Sequence, residues 1–212
     1  MRRFRAGLFD SDGTLLDSRH LLYLAASNIF VSFGLPPPTE KEYFSGMCAD
    51  YEKFYKSHGI PEGTSKETLN KIRRKFILEN WGLASLFDDA VSTLSYLKKR
   101  GLKVGIISGE NSGILERRVR ENGLNSLLDY CAGSVCDKRT LVLDALDEFK
   151  MDPEECFFVE DTPKDILAVK GSGAFVIGVT HGFGTPDEIS AVNPDKVISA
   201  LSELIPFVES DN

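Results

Sequence analysis

The sequence predicts an α/β protein with a parallel sheet and a helical insertion. Short apolar runs alternate along the chain with segments of helical length, and one interval between the first two runs is far longer than a crossover connection needs. The chain has 212 residues, of which 42% are hydrophobic. This length and composition allow one substantial core, or one core with a smaller inserted module.

Four apolar runs predict the strands. Each lacks the alternation of a half-exposed strand and is bounded by Gly, Asp or Ser, which is typical of a parallel sheet covered on both faces. The runs are AGLF (6–9), KVGIIS (103–108), CFFVE (156–160) and FVIGVT (175–180). A weaker run, YCAGSV (130–135), predicts a further strand.

Segments of helical length between these runs predict the crossover helices. They cover residues 88–101, 114–123, 138–150 and 163–173. In the first, Val91, Leu94 and Leu97 recur at helical spacing, and Gly101 stands where a C-terminal cap belongs. Strands that alternate with such helices predict a Rossmann-like sheet with right-handed crossovers.

The interval 18–87 departs from this alternation. It contains four helical stretches, no convincing strand, and many more residues than a single crossover needs. We therefore expect a core domain formed by residues 1–17 and 88–212, with a small α-helical domain inserted at 18–87.

Charge and composition exclude several classes of function. The net charge of -7 argues against nucleic-acid partners, whose phosphates require clustered Lys and Arg. No apolar run approaches the roughly 20 residues of a membrane span, and the N-terminus lacks the apolar region of a signal peptide. The cysteines form no CxxC pair and are expected to be small buried residues in a reducing compartment; they are Cys48, Cys131, Cys136 and Cys156. These features predict a cytoplasmic protein without a membrane partner.

Polar residues directly follow three of the predicted strands, at the edge where open α/β sheets bind ligands. They are Asp10 and Asp12, Ser108 and Gly109, and Glu160 and Asp161, with Asp165 one helical turn further on. Carboxylates gathered at one edge repel each other unless a cation lies among them, and oxygen ligands without His or Cys favour magnesium. Alone, Asp10 and Asp12 would also suit an Asx turn. A second acidic cluster after another strand favours the magnesium site and suggests phosphoryl chemistry.

Four segments occur in the order of a known set of motifs. FDSDGTLLDS (9–18) resembles the first motif of the haloacid dehalogenase superfamily, GIISG (105–109) the second, and FFVEDTPKDI (157–166) the fourth, while Lys138 fits the third. The insertion at 18–87 falls where superfamily members with a small helical cap carry that cap. The resemblance implies the haloacid dehalogenase fold, bound Mg²⁺, and a small phosphorylated metabolite as substrate.

The resemblance assigns roles to the acidic residues. Asp10 would be the nucleophile that forms an aspartyl-phosphate, and Asp12 the general acid for the leaving oxygen and then the general base for water. The side chains of Asp10 and Asp161 and the backbone carbonyl of Asp12 would hold the metal. Glu160 or Asp165 would contribute directly or through water.

Ser108 and the backbone of Gly109 would hold phosphoryl oxygens, and Lys138 would neutralise charge. The sequence departs from the family where Lys-Pro is usual, since Arg139 follows Lys138, and where many capped members have Asn in place of Gly109. A shift of register by one residue would make Arg139 the cation. His181, after the last predicted strand, is expected to be a loop residue that could line the pocket.

Within this superfamily the favoured activity is hydrolysis of a small phosphomonoester. DGTLLDS (12–18), LKKRGLKVGIIS (97–108) and THGFGTPDEI (180–189) resemble phosphoglycolate phosphatases, so phosphoglycolate is the leading substrate. One alternative is a sugar phosphomutase of the β-phosphoglucomutase type. Another, of a different class, is a catalytically silent relative that binds a partner through its cap.

Overall fold

A computed structural model describes residues 4–47, 51–134 and 137–210. The chain forms two compact units, a core unit of residues 1–17 and 86–212 and an inserted unit of residues 18–85. The predicted boundary after residue 87 lies two residues further along the chain than this division.

A parallel sheet forms the centre of the core unit. In the described part of the chain the strands are β1 (Ala6–Phe9), β2 (Leu16–Asp17), β3 (Ser85–Leu86), β4 (Lys103–Ile107), β5 (Tyr130–Ala132), β6 (Cys156–Glu160), β7 (Phe175–Val179) and β8 (Lys196–Ile198). Six of them form one sheet in the order β5-β4-β1-β6-β7-β8, and every neighbouring pair is parallel. β2 and β3 form a separate two-stranded sheet. The predicted α/β class with a Rossmann-like parallel sheet is confirmed.

Helices connect the strands of the core unit and make up most of the inserted unit. They are α1 (Arg19–Ser32), α2 (Glu40–Met47), α3 (Tyr51–Ser57), α4 (Lys66–Glu79), α5 (Ala90–Lys99), α6 (Ser112–Glu121), α7 (Lys138–Phe149), α8 (Pro163–Lys170), α9 (Pro186–Ala191) and α10 (Leu204–Ser210). None of the described helices is long and apolar enough to cross a membrane.

The sheet is buried on both faces, which explains why its strands lack alternation. Phe9 and Val159 pack in the cluster on one face, while Leu8 and Phe158, their chain neighbours, pack in the cluster on the other. All four side chains are fully buried. Because both faces exclude water, every position of β1 and β6 is free to be apolar.

Two expectations are wrong. The interval 18–87 contains the strand β3, whose two residues leave no pattern to detect. Cys131 is exposed rather than buried. The edge strand β8 was not predicted, because its three residues include the exposed Val197. In α5, Leu94 and Leu97 are buried together with Ala90, whereas Val91 is 43% exposed.

Of the other cysteines, Cys156 is buried as expected, and its burial raises the pKa of the thiol. Cys48 and Cys136 lie outside the described residues. The two cysteines that the structure describes are both free thiols.

The inserted unit has an aromatic core of its own. α1 packs along α4, and Ser65 caps the start of α4 by accepting a hydrogen bond from the Thr68 N–H. Phe30 of α1 stacks on Tyr55 of α3, with ring centroids 5.3 Å apart. Phe30 and Tyr55 are both fully buried, so aromatic side chains of the unit pack against one another.

Candidate active site

Asp10 lies at the carboxyl edge of the sheet, directly after its central strand β1. In β1, Phe9 pairs with Ile106 of β4 on one side and with Val159 of β6 on the other. The Asp10 N–H continues this register by donating to the Val159 carbonyl at 3.0 Å. Residues that follow β4 and β6 therefore share an edge with Asp10.

Lys138 joins three carboxylates at this edge. Its Nζ lies 2.6 Å from Asp10 Oδ1, 2.7 Å from Glu160 Oε2 and 2.9 Å from Asp165 Oδ2. The contacts with Asp10 and Glu160 are hydrogen bonds, and the contact with Asp165 is an ion pair. Lys138 is the first residue of α7 and is buried. The structure thus brings Lys138 to Asp10, whereas Arg139 is exposed.

The electrostatics of this cluster are dominated by burial and by an excess of negative charge. Burial alone would lower the pKa of Lys138, but the charges of Asp10, Glu160 and Asp165 outweigh it and raise that pKa well above its usual value. Burial also raises the pKa of Asp10, even though Lys138 opposes this effect. Lys138 is therefore permanently cationic, and its charge does not fully compensate the acidic groups around it.

Asp161 is held by hydrogen bonds from two distant parts of the chain. Its Oδ1 accepts from Thr14 Oγ1 at 3.1 Å, and its Oδ2 accepts from the Phe183 N–H at 2.8 Å. A Cβ at either Gly13 or Gly182 would overlap the carboxylate, and Gly13 also has a φ of 88°, which disfavours any other residue. The Asp-Gly-Thr segment therefore packs directly on Asp161.

Glu160 organises the turn after β6. Its Oε1 accepts hydrogen bonds from the Asp161 N–H, the Thr162 N–H and Thr162 Oγ1, each at 3.1 Å. Its Oε2 accepts from Lys138. The side chain is fully buried, and it joins the fourth-motif turn to the cation of α7.

Three buried carboxylates could hold a metal ion. One carboxylate oxygen each from Asp10, Glu160 and Asp161 lies within 4.8 Å of the others. Burial raises the pKa of Asp161, and the neighbouring charges of Glu160 and Asp10 raise it further. An all-oxygen donor set that is short of positive charge suits a divalent cation of the magnesium type. Asp165 lies outside this group, and its Oδ2 contacts Lys138.

Asp12 lies beside a charged residue that the sequence analysis missed. Its Oδ1 is 3.3 Å from a terminal guanidinium nitrogen (Nη1) of Arg118, a buried residue of α6. Leu115 and Val119, its neighbours on the buried face of α6, are apolar. An arginine at an apolar position of a predicted helix was the signal that could have identified it.

Ser108 and Gly109 follow β4 at the same edge. Ser108 is buried, and its Oγ accepts from the Glu110 N–H at 3.1 Å. No described residue accepts a hydrogen bond from the Ser108 hydroxyl, which can therefore donate to a ligand. Gly109 is exposed.

His181 contacts the backbone of the first motif. Its Nε2 lies 3.0 Å from the Thr14 carbonyl oxygen, and its Nδ1 lies 3.3 Å from the Ser199 carbonyl oxygen. The ring lies against Phe87, with centroids 3.9 Å apart. These contacts make His181 a support for the loop that carries Thr14.

Comparison with known proteins supports the same assignment. The sequence profile of the haloacid dehalogenase-like hydrolases matches residues 8–179. The chain therefore belongs to the haloacid dehalogenase-like hydrolase family, as the motifs predicted.

Individual relatives span the whole chain. A phosphoglycolate phosphatase from Vibrio parahaemolyticus is 28% identical, with 94% of this chain and 94% of that protein covered. A 5'-nucleotidase from Pseudomonas aeruginosa is 27% identical, with 96% and 95% covered. In fold, the chain is similar to a haloacid dehalogenase-like family hydrolase from Streptococcus pneumoniae, with a TM-score of 0.83 at 23% identity and 98% and 99% of the two chains covered.

Proposed function

We propose that this protein is a Mg²⁺-dependent phosphatase that hydrolyses a small phosphomonoester through an aspartyl-phosphate on Asp10. The observation that carries the proposal is the buried cluster at the carboxyl edge, in which Lys138 lies 2.6 Å from Asp10. Asp10 is placed at the end of the central strand, and Asp161 and Glu160 supply carboxylate oxygens beside it. Membership of the hydrolase family supports the same chemistry.

In the first step, a carboxylate oxygen of Asp10 attacks phosphorus while the bond from phosphorus to the leaving oxygen breaks. Asp12 donates a proton to that oxygen, so the alcohol leaves neutral. In the second step, water attacks the phosphorus of the aspartyl-phosphate and Asp12 takes its proton. Inorganic phosphate leaves, and the Asp10 carboxylate is restored.

The remaining residues would orient the nucleophile, bind the phosphoryl oxygens and hold the metal. Lys138 would keep the Asp10 carboxylate oriented, and the Ser108 hydroxyl and Gly109 N–H would donate to phosphoryl oxygens. The side chains of Asp10 and Asp161 and the backbone carbonyl of Asp12 would hold Mg²⁺. When bound, the metal supplies positive charge that stabilises the transferring phosphoryl group. Glu160 would act through the turn that it organises.

The names of the relatives support a small phosphate compound as the substrate without selecting one. They include a phosphoglycolate phosphatase, a 5'-nucleotidase and a putative pyrophosphatase from Clostridium perfringens. Phosphoglycolate is our first candidate because of the motif resemblance. A role for segment 18–87 as a cap over the substrate, and a cytoplasmic location, stay predictions.

A phosphate-release assay tests the proposal. We expect Mg²⁺-dependent release of phosphate from a panel that includes phosphoglycolate, nucleoside monophosphates and hexose phosphates. Asp10→Asn should lower kcat on the order of 10⁴-fold or more, because an amide cannot form the aspartyl-phosphate. Asp144→Asn, at an exposed position of α7, is the matched control and should retain activity.

The alternative functions predict different experimental outcomes. Absence of release from every compound with the wild-type protein would refute the phosphatase proposal. Interconversion of hexose 1-phosphate and 6-phosphate would instead indicate a phosphomutase. Partner binding without turnover would indicate a silent relative.

A further inference from the structure

We propose that Arg118 is a positioning residue that orients the Asp12 carboxylate toward the leaving group of the substrate. The inference rests on the proposed function, in which Asp12 transfers the proton. It assigns a role in the reaction to a residue of α6 that lies outside the four motifs.

The first observation is the burial of a charge where packing calls for an apolar side chain. Arg118 is 5% exposed, and it shares the buried face of α6 with Ile114, Leu115 and Val119. Burying an ionised group is strongly unfavourable unless an opposite charge compensates it, whereas an apolar residue of similar volume carries no such penalty. The arginine therefore calls for a reason other than packing.

The second observation is the asymmetry of the Asp12 carboxylate. Its Oδ1 lies 3.3 Å from Arg118 Nη1. This oxygen is buried and accepts no hydrogen bond from a described residue, whereas the Asp12 side chain as a whole is 13% exposed. The buried oxygen thus faces Arg118, while part of the Asp12 side chain remains exposed. An ion pair without a hydrogen bond biases the orientation of the carboxylate without locking it.

The third observation is that Lys138, the other buried cation described at this edge, contacts carboxylates other than Asp12. Lys138 donates hydrogen bonds to Asp10 and Glu160 and forms an ion pair with Asp165. The orientation of Asp12 consequently depends on other contacts, and Arg118 provides one from a different helix.

Correct orientation matters only in steps where Asp12 moves a proton. An alkyl leaving group needs that proton, since an alkoxide is a poor leaving group, whereas dinitrophenolate leaves without assistance. The ratio kcat/KM reports on the steps up to departure of the leaving group. Loss of Arg118 should therefore lower kcat/KM for an alkyl phosphate much more than for an aryl phosphate.

The experiment compares Arg118→Met and Arg118→Lys with the wild-type protein on two substrates. One is the best alkyl phosphomonoester of the panel, and the other is 2,4-dinitrophenyl phosphate. For Arg118→Met we expect kcat/KM to fall about 10–100-fold on the alkyl phosphate and less than about 3-fold on the aryl phosphate, since general acid catalysis is worth about 10²–10⁴-fold. Arg118→Lys should restore part of the loss.

Two further variants calibrate the comparison. Asp12→Asn should show a larger loss with the same preference for the aryl substrate. Arg120→Met removes an exposed arginine of the same helix and should behave as wild type. Circular dichroism and thermal denaturation show whether each variant is folded, and Arg118→Lys serves as the test variant if Arg118→Met does not fold.

Equal losses on both substrates would assign Arg118 a purely structural role and overturn the inference. Unchanged kcat/KM on the alkyl phosphate in a folded Arg118 variant would overturn it as well. Wild-type protein that releases phosphate from neither substrate overturns the proposed function, and the role of Arg118 in it. An active wild type with equal losses in the variant overturns only the inference.

Discussion

Replacement of Lys138 by methionine should destabilise the core unit strongly, because it leaves buried carboxylates without their cation. The Lys138 Nζ lies 2.6, 2.7 and 2.9 Å from oxygens of Asp10, Glu160 and Asp165, and its side chain is 7% exposed. Methionine preserves the apolar stem and removes the charge. Removing one partner of a buried ion pair costs about 3–5 kcal/mol.

This cost converts into a measurable change in melting temperature. For a chain of this size 1 kcal/mol shifts Tm by about 2–4 °C, so Lys138→Met should lower Tm by about 6–20 °C in metal-free buffer at neutral pH. Thermal denaturation followed by circular dichroism measures the shift. Lys99→Met, at an exposed position near the end of α5, is the control and should cost less than about 1 kcal/mol.

The sign of the pH dependence provides an internal check. Burial already raises the pKa of Asp10 and of Glu160 in the presence of Lys138, and removal of the cation should raise both further. Folding then favours the protonated acids, so the variant loses stability as the pH rises above the unfolded pKa values near 4. Lys138 itself stays charged across this range. The Tm deficit should therefore shrink on acidification from about pH 8 to about pH 5. A deficit below about 2 °C, or one that is independent of pH, would refute the role assigned to the lysine.

Two further outcomes follow from the same cluster. Mg²⁺ at about 100 times its dissociation constant should stabilise the protein by about 2.7 kcal/mol. Burial raises the pKa of Asp161, so protons compete with the metal for this carboxylate. The increase in Tm on adding Mg²⁺ should therefore be larger at about pH 8 than at about pH 5, and it should be lost in Asp161→Asn. An equal increase in Tm in that variant would place the metal elsewhere. Gly13→Ala should lower kcat on the order of 10²-fold, since its Cβ would overlap the Asp161 carboxylate. Gly63→Ala, where a Cβ meets nothing within 4 Å, should match wild type in the same phosphate-release assay.

The strands were predictable because burial on both faces leaves a local signal. β1 and β6 match the predicted runs 6–9 and 156–160 at both ends, as continuous apolar strands bounded by polar residues should. β8 left no comparable signal, since it has three residues at the edge of the sheet and Val197 is exposed. The hydrophobic pattern of the sequence identifies buried strands best, whereas edge strands are defined mainly by their pairing with a neighbouring strand.

The direction of a helix face was predicted less well than the helix itself. The spacing of Val91, Leu94 and Leu97 correctly indicated α5, but the helix turns Ala90 inward and leaves Val91 exposed. Spacing fixes the period of a helix, whereas the neighbouring sheet decides which of two adjacent apolar residues is buried.

For the site, sequence motifs indicated which residues gather at the sheet edge but not how they pair. The motifs left open whether Glu160 or Asp165 acts at the metal, and they did not indicate that both pair with Lys138. The contacts that hold Asp161 come from Thr14 and from the Phe183 backbone, and a backbone donor leaves no mark in a sequence. Arg118 was missed because its contact with Asp12 joins positions far apart in the chain.

The close packing around Asp161 also bears on how random substitution affects this protein. Gly13 and Gly182 contribute no side-chain atom, yet a Cβ at either would overlap Asp161. Every missense change in a glycine codon introduces a Cβ, so we expect no missense change at either position to be neutral. Random substitution should therefore reveal these two residues as well as the nucleophile, although neither has a functional group to lose.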